Sequence, residues 1–174
     1  MQMKKLWDGC INLNDSYWLM EAEKLAHRSN CTKMKVGAII VSDCENILGQ
    51  GWNIALKTHD CLREGVHSCT EVEKCYAVHA EWMALMNAPR DLTNENATIY
   101  VACIKPDGTI RKFDTFQCSV CARLIVYSGI KNVCFYGQEV PNVIRSQPNK
   151  ILPRIQDSFD AMVNCYKDYL KCKK

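Results

Sequence analysis

Four residues in two short stretches have the types and spacing of a metal-dependent hydrolytic site. "YAVHAEWMAL" (76–85) carries His79 and Glu81, two apart, and "CSVC" (118–121) carries Cys118 and Cys121, three apart. Zinc in a catalytic site takes three protein ligands and keeps a fourth position for water. Two cysteines on one first helical turn can share an ion, and a helix N-terminus favours the thiolate form they need. His79, from a second helix, completes a set of three. Glu81 is close enough to reach the metal-held water without being a ligand. Zinc lowers the pKa of such a water to about 7, and a carboxylate beside it can accept its proton and hand it on. Alone, His79 would read as a satisfied core histidine, and C-x-x-C as zinc, redox or chance. The pair, in this order and at two predicted helix starts, is far more specific.

These residues must be positioned by a fold, and the chain is long enough to make one. Its 174 residues predict a single domain, 1–174. With 48% apolar and 24% charged residues it reads as an ordinary soluble globular chain. A net charge of +3 is too small to argue for nucleic acid or a membrane as partner. No apolar run reaches 18 residues, and the N-terminal segment does not read as a signal peptide, so the expected compartment is the cytoplasm. Twelve cysteines are many. In a reducing cytosol they fit metal sites and small buried hydrophobes, such as Cys103 and Cys134, better than a disulfide framework.

Apolar spacing predicts a helix over 15–27 capped by Asp15 or Ser16, and a β-branched run predicts a strand over 36–43. "ENILGQGWN" (45–53) predicts a second strand, paired as a hairpin with the first. The polar, Cys- and His-rich stretch 57–75 reads as an insertion. A helix follows over 76–87, then a strand over 97–104. "KPDGTIRK" (105–112) signals a turn, with a small hairpin as one form of it. A helix over 118–129 ends at Gly129, and "KNVCFYG" (131–137) reads as a strand. The tail, 141–174, holds a loose stretch punctuated by Pro141, Pro148 and Pro153, then a helix over about 155–170. Alternating helices and strands imply a mixed sheet with helices on both faces.

H-x-E…C-x-x-C is the signature of zinc deaminases. With "RSNCTKMKVGAIIVSD", "GQGWN", "CLREGVHSCTEVEKCYAVHAEWMAL", "ATIYVACI" and "CSVCARLIVYSGIKNVCFYG", the sequence resembles the cytidine/deoxycytidylate deaminase superfamily over about 15–137. Within it the dCMP deaminases are the nearest match, and the C-L-R-E…C segment ahead of H-A-E is what favours them over free-nucleoside deaminases. The resemblance implies a three-layer α/β/α fold on a five-stranded mixed sheet. It also implies hydrolysis of dCMP to dUMP and ammonia, with zinc-held hydroxide attacking C4 and Glu81 as proton shuttle. Asn53 would then hydrogen-bond the sugar and the Ala80 backbone the base edge. Alternatives are another cytosine nucleotide or nucleoside, or a tRNA adenosine; a non-enzymatic role fits the complete ligand-plus-carboxylate set less well.

Two departures stand out. Gln117 replaces the proline before the first cysteine, which changes the approach to the helix but removes no ligand. Met83 stands where the family often has Asn, which makes it a candidate for altered substrate preference. A second, structural zinc would draw on Cys61, His67, Cys69 and Cys75, against the plainer reading of a polar loop with unligated thiols. Arg28, Lys33 and Lys35 are candidate phosphate contacts, although charges at a strand edge are more often simply solvated. The family resemblance also implies a homo-oligomer, with a hexamer as one form.

Overall fold

The computed structural model describes residues 14–55, 77–113, 118–138 and 143–147. Five strands form one sheet in the order β2-β1-β3-β4-β5: β1 (Lys35–Val41), β2 (Ile47–Trp52), β3 (Thr98–Ile104), β4 (Asn132–Tyr136) and β5 (Val143–Ser146). Only β3 and β4 pair in parallel, so the sheet is mixed. Helix α1 (Asp15–Ala26) packs on one face; α2 (Ala80–Met86) and α3 (Ser119–Tyr127) pack on the other. The three-layer arrangement is the one the family resemblance implies. No described helix is long and apolar enough to cross a membrane.

Successive side chains of a strand point to opposite faces, and the two cores divide accordingly. Ala38 and Ile40 of β1, Ile99, Val101 and Cys103 of β3, and Val133 and Phe135 of β4 meet α2 and α3. Ile39 and Val41, Tyr100 and Ala102, and Cys134 meet Trp18, Leu19, Ala22 and Leu25 of α1. All seven residues of β3 are buried, as a central strand covered on both faces requires. The expected buried cysteines Cys103 and Cys134 both lie in this core, and none of the six described cysteines is in a disulfide.

Glycines let the helices settle directly onto the sheet. A Cβ on Gly37 would run into the backbone of α1 at Ala22 and Ala26, and one on Gly51 into the backbone of α2 at Ala80 and Ala84. Gly51→Ala is therefore expected to push back the first turn of α2. Overpacking of this kind costs about 1–3 kcal/mol, or a Tm lowered by roughly 2–12 °C at this chain length. Thermal unfolding of the variant checks this; an unchanged Tm would show that the contact is not tight.

Several predicted boundaries shift. The cap of α1 is Asn14, whose Oδ1 accepts from the Tyr17 N–H at 2.9 Å, so Asp15 is the first helical residue. The helix predicted over 76–87 begins only at Ala80, because Val78 is drawn into a bridge with Ile54 and leaves His79 extended. The loose stretch after Pro141 contains β5, which the sequence reading did not anticipate. It pairs antiparallel with β4, so this part of the 141–174 tail belongs to the sheet. Its Arg145 meets the Asp15 carboxylate, which also accepts from the Tyr100 hydroxyl at 2.9 Å. Arg145 also donates to Thr98 Oγ1 at 3.0 Å. The insertion 57–75, Gln117 and the helix expected near 155–170 lie outside the described residues.

Candidate active site

Helices α2 and α3, which share one face of the sheet, bring their N-termini together. His79 is the N-cap residue of α2, yet its side chain makes no capping hydrogen bond. Its ring turns to the other helix instead, with Nδ1 3.2 Å from Cys121 Sγ and 3.5 Å from Cys118 Sγ. Cys118 is the N-cap residue of α3, and its sulfur accepts from the Cys121 N–H at 3.3 Å. Ala80, Cys118 and Cys121 are buried in the same core cluster, and this buried setting fixes the two helix starts against each other.

The donor set fits one zinc ion. One donor atom from each of His79, Cys118 and Cys121 lies within 4.8 Å of the other two. Zinc holds nitrogen at about 2.1 Å and thiolate at about 2.3 Å, so at the tetrahedral angle two such ligands stand about 3.6 Å apart. The two observed N···S separations are close to that edge. The thiol chemistry agrees. Hydrogen bonding from Cys121 and from His79 outweighs burial and pulls Cys118 down to about 4, well into the thiolate range. Trp82 stacks on His79, with ring centroids 5.5 Å apart and an interplanar angle of 27°, and helps fix the imidazole plane.

Glu81 sits in the first turn of α2, 5% exposed, and lines the cavity that His79, Ala80 and Cys118 also line. Burial pushes its carboxyl above the ordinary carboxylate range. Charge on Cys118 pushes the same way, and His79 opposes both. A raised carboxyl beside a cation-binding cluster is suited to taking up and releasing a proton.

Asn53 reaches the same cavity from the end of β2. Its orientation is fixed: Oδ1 accepts from the Val36 N–H at 2.7 Å, and Nδ2 donates to the Met34 carbonyl at 2.8 Å. Thus His79, Ala80, Glu81, Asn53 and Cys118 all meet in one cavity, and Cys121 joins it through the ligand cluster.

Other candidates fall elsewhere. Arg28, Lys33 and Lys35 are not among the cavity residues; the Arg28 guanidinium lies over the Trp52 ring, 5.1 Å from its centroid. Met83 also lies outside the cavity lining, because its side chain packs against Gly51 of β2. Cys61, His67, Cys69 and Cys75 lie outside the described residues. Conversely, the cavity includes Arg111, Phe113 and Phe135, which the sequence reading did not single out. Arg111 and Phe113 belong to no motif; the one available signal was the turn at Pro106–Gly108, which folds the chain back toward β3.

Residues 13–137 match the family model described as the cytidine and deoxycytidylate deaminase zinc-binding region. The chain is 34% identical over 128 residues to a deoxycytidylate deaminase of Saccharomyces cerevisiae, covering 70% of this chain and 36% of that protein, so it spans about a third of this relative. A deoxycytidylate deaminase of Mycobacterium phage D29 is 34% identical over 133 residues, covering 70% of this chain and 92% of the phage protein. A tRNA-specific adenosine deaminase of Haemophilus influenzae is 29% identical over 125 residues, covering 70% of this chain and 57% of that protein. Among solved structures, a cytidine deaminase from Burkholderia pseudomallei shares the fold, with a TM-score of 0.55 and 15% identity over 81% of this chain and 98% of the other.

Proposed function

The chain belongs to the cytidine and deoxycytidylate deaminase family, and from that premise we propose that it hydrolyses dCMP to dUMP and ammonia. The observation that carries the reading is the placement of a buried, proton-accepting carboxylate, Glu81, in the same cavity as a three-donor zinc cluster. The deoxycytidylate deaminases among its relatives favour dCMP over other members of the substrate class.

In this reading His79 Nδ1 and the sulfurs of Cys118 and Cys121 hold the metal. Zinc, when bound there, supplies the Lewis acidity that makes water a nucleophile at neutral pH. Glu81 takes one proton of the attacking water on a carboxylate oxygen and gives it to ring N3 of cytosine; it then takes the remaining proton from the oxygen now bonded to C4 and delivers it to the departing amino group. Overall, water oxygen replaces the exocyclic nitrogen at C4, and ammonia leaves. The upward push on Glu81 helps it hold a proton between the steps. Asn53, fixed by its two backbone partners, offers its remaining hydrogen-bonding capacity to the sugar. Ala80 presents backbone rather than bulk to the base edge. The apolar walls at Val101 and Phe135 exclude water from the ring and strengthen the polar contacts it makes.

A substrate panel tests the proposal. Ammonia release is measured with dCMP, CMP, deoxycytidine and a tRNA anticodon hairpin, and dCMP is expected to give the highest kcat/KM. Reaction with the RNA alone, or with none of the four, would overturn it.

A further inference from the structure

Residues 105–113, just after β3, make a hairpin that delivers a cation to the cavity. Gly108, at φ +83°, turns the chain, and its N–H donates to the Lys105 carbonyl at 2.9 Å. The Asp107 carboxylate accepts from the Thr109 N–H at 2.9 Å and from its hydroxyl at 2.6 Å, which fixes the turn. The returning arm is then joined to two strands. Arg111 N–H donates to the Cys103 carbonyl of β3 at 2.8 Å, and Phe113 N–H donates to the Tyr136 carbonyl of β4 at 2.9 Å. Phe113 meets Phe135 edge to face at 6.3 Å, and the Arg111 guanidinium lies over the Phe113 ring, 4.9 Å from its centroid.

Arg111 thus has a rigid backbone anchor and an aromatic platform, and it lines the same cavity as Glu81, Asn53 and His79. It is the one arginine or lysine among the described lining residues. The rest of that lining is mostly apolar. A phosphomonoester carries nearly two negative charges at neutral pH, and apolar walls offer it neither counter-charge nor hydrogen bonds, so a side-chain cation in the lining is what could meet it. An arginine presents a planar fork that matches phosphate oxygens two at a time, and an aromatic face beneath it limits the freedom lost on binding.

We infer that Arg111 is the specificity-determining residue that binds the 5′-phosphate of the substrate and so selects nucleotide over nucleoside. This rests on the reading of the cavity as a cytosine-nucleotide deaminase site. The test compares the zinc-loaded wild type with Arg111→Ala and Arg111→Lys, using dCMP and deoxycytidine as substrates. The ratio of kcat/KM for dCMP to that for deoxycytidine is expected to fall about 10–100-fold in Arg111→Ala, mostly through KM for dCMP. Arg111→Lys should recover part of that loss. Binding of dUMP and of deoxyuridine, measured by calorimetry on the same three proteins, reads the phosphate contact without turnover. Only dUMP should weaken. Equal losses with both members of each pair, or no loss for dUMP, would overturn the assignment. A wild type that deaminates neither substrate removes the proposed function, and the two binding measurements still decide the role of Arg111.

Discussion

Glu81→Gln is expected to keep its zinc and to lose turnover by about 10²–10⁴-fold, the range for removing one positioned general acid–base group. The change is nearly isosteric, so the first turn of α2 and its packing against β2 should persist. An amide cannot accept the proton of water at neutral pH. The three metal donors are untouched, and replacing an acidic neighbour by a neutral one does not remove any of them. The expected pattern is therefore full metal content with low kcat on the best substrate of the panel. Zinc per chain and kcat, measured on one preparation, check it. A zinc-loaded variant within about threefold of wild-type kcat would end the proton-carrying role of Glu81.

Cys121→Ser is expected to abolish both zinc binding and activity. Cys121 is fully buried, with its sulfur 3.2 Å from His79 Nδ1, and a hydroxyl there is a much poorer ligand for a borderline-soft ion. The loss should also appear in stability. Metal that binds the folded chain alone, at free concentration 1,000-fold above its Kd, adds about 4 kcal/mol, or roughly 8–16 °C in Tm for a chain of this length. Chelation of the wild type should reproduce the same drop. Cys44→Ser, an exposed position between β1 and β2, should leave metal content and Tm unchanged. Full zinc and activity in Cys121→Ser would remove it from the ligand set. The metal content of the wild type also decides the role of Cys61, His67, Cys69 and Cys75: two ions per chain support a second site there, and one excludes it.

The clustered donor set His79, Cys118 and Cys121 was legible in the sequence because ligation restricts residue type and spacing together. The central strands were legible for a similar reason. β1 and β3 are buried on both faces, so nearly every position is apolar, and the run stands out from the turns beside it. β5 gave no such signal. Its four residues, Val143, Ile144, Arg145 and Ser146, are partly exposed at the sheet edge, and it forms because β4 offers an open row of hydrogen-bonding groups. The start of α2 was misplaced because apolar periodicity continues through Ala77 and Val78, whereas the pairing of Val78 with Ile54 is a long-range contact. The same limit applies to the cations. Arg28, Lys33 and Lys35 are adjacent to a strand and looked poised for phosphate, but they are not part of the cavity lining. Arg111 enters the lining only after a hairpin returns the chain, and neither its neighbours nor its spacing from the metal motifs reveals that.

The Asp15 carboxylate joins parts of the chain that are made far apart in time. Arg145 lies 130 residues after Asp15, and Tyr100 lies 85 residues after it. During synthesis α1 is among the first described segments to leave the ribosome, but its acidic end must wait for both partners. The central strand supplies Tyr100 first, and the edge strand supplies Arg145 last. A growing chain can therefore settle α1 on β1 and β3 well before this polar contact closes, and the arrival of β5 completes it.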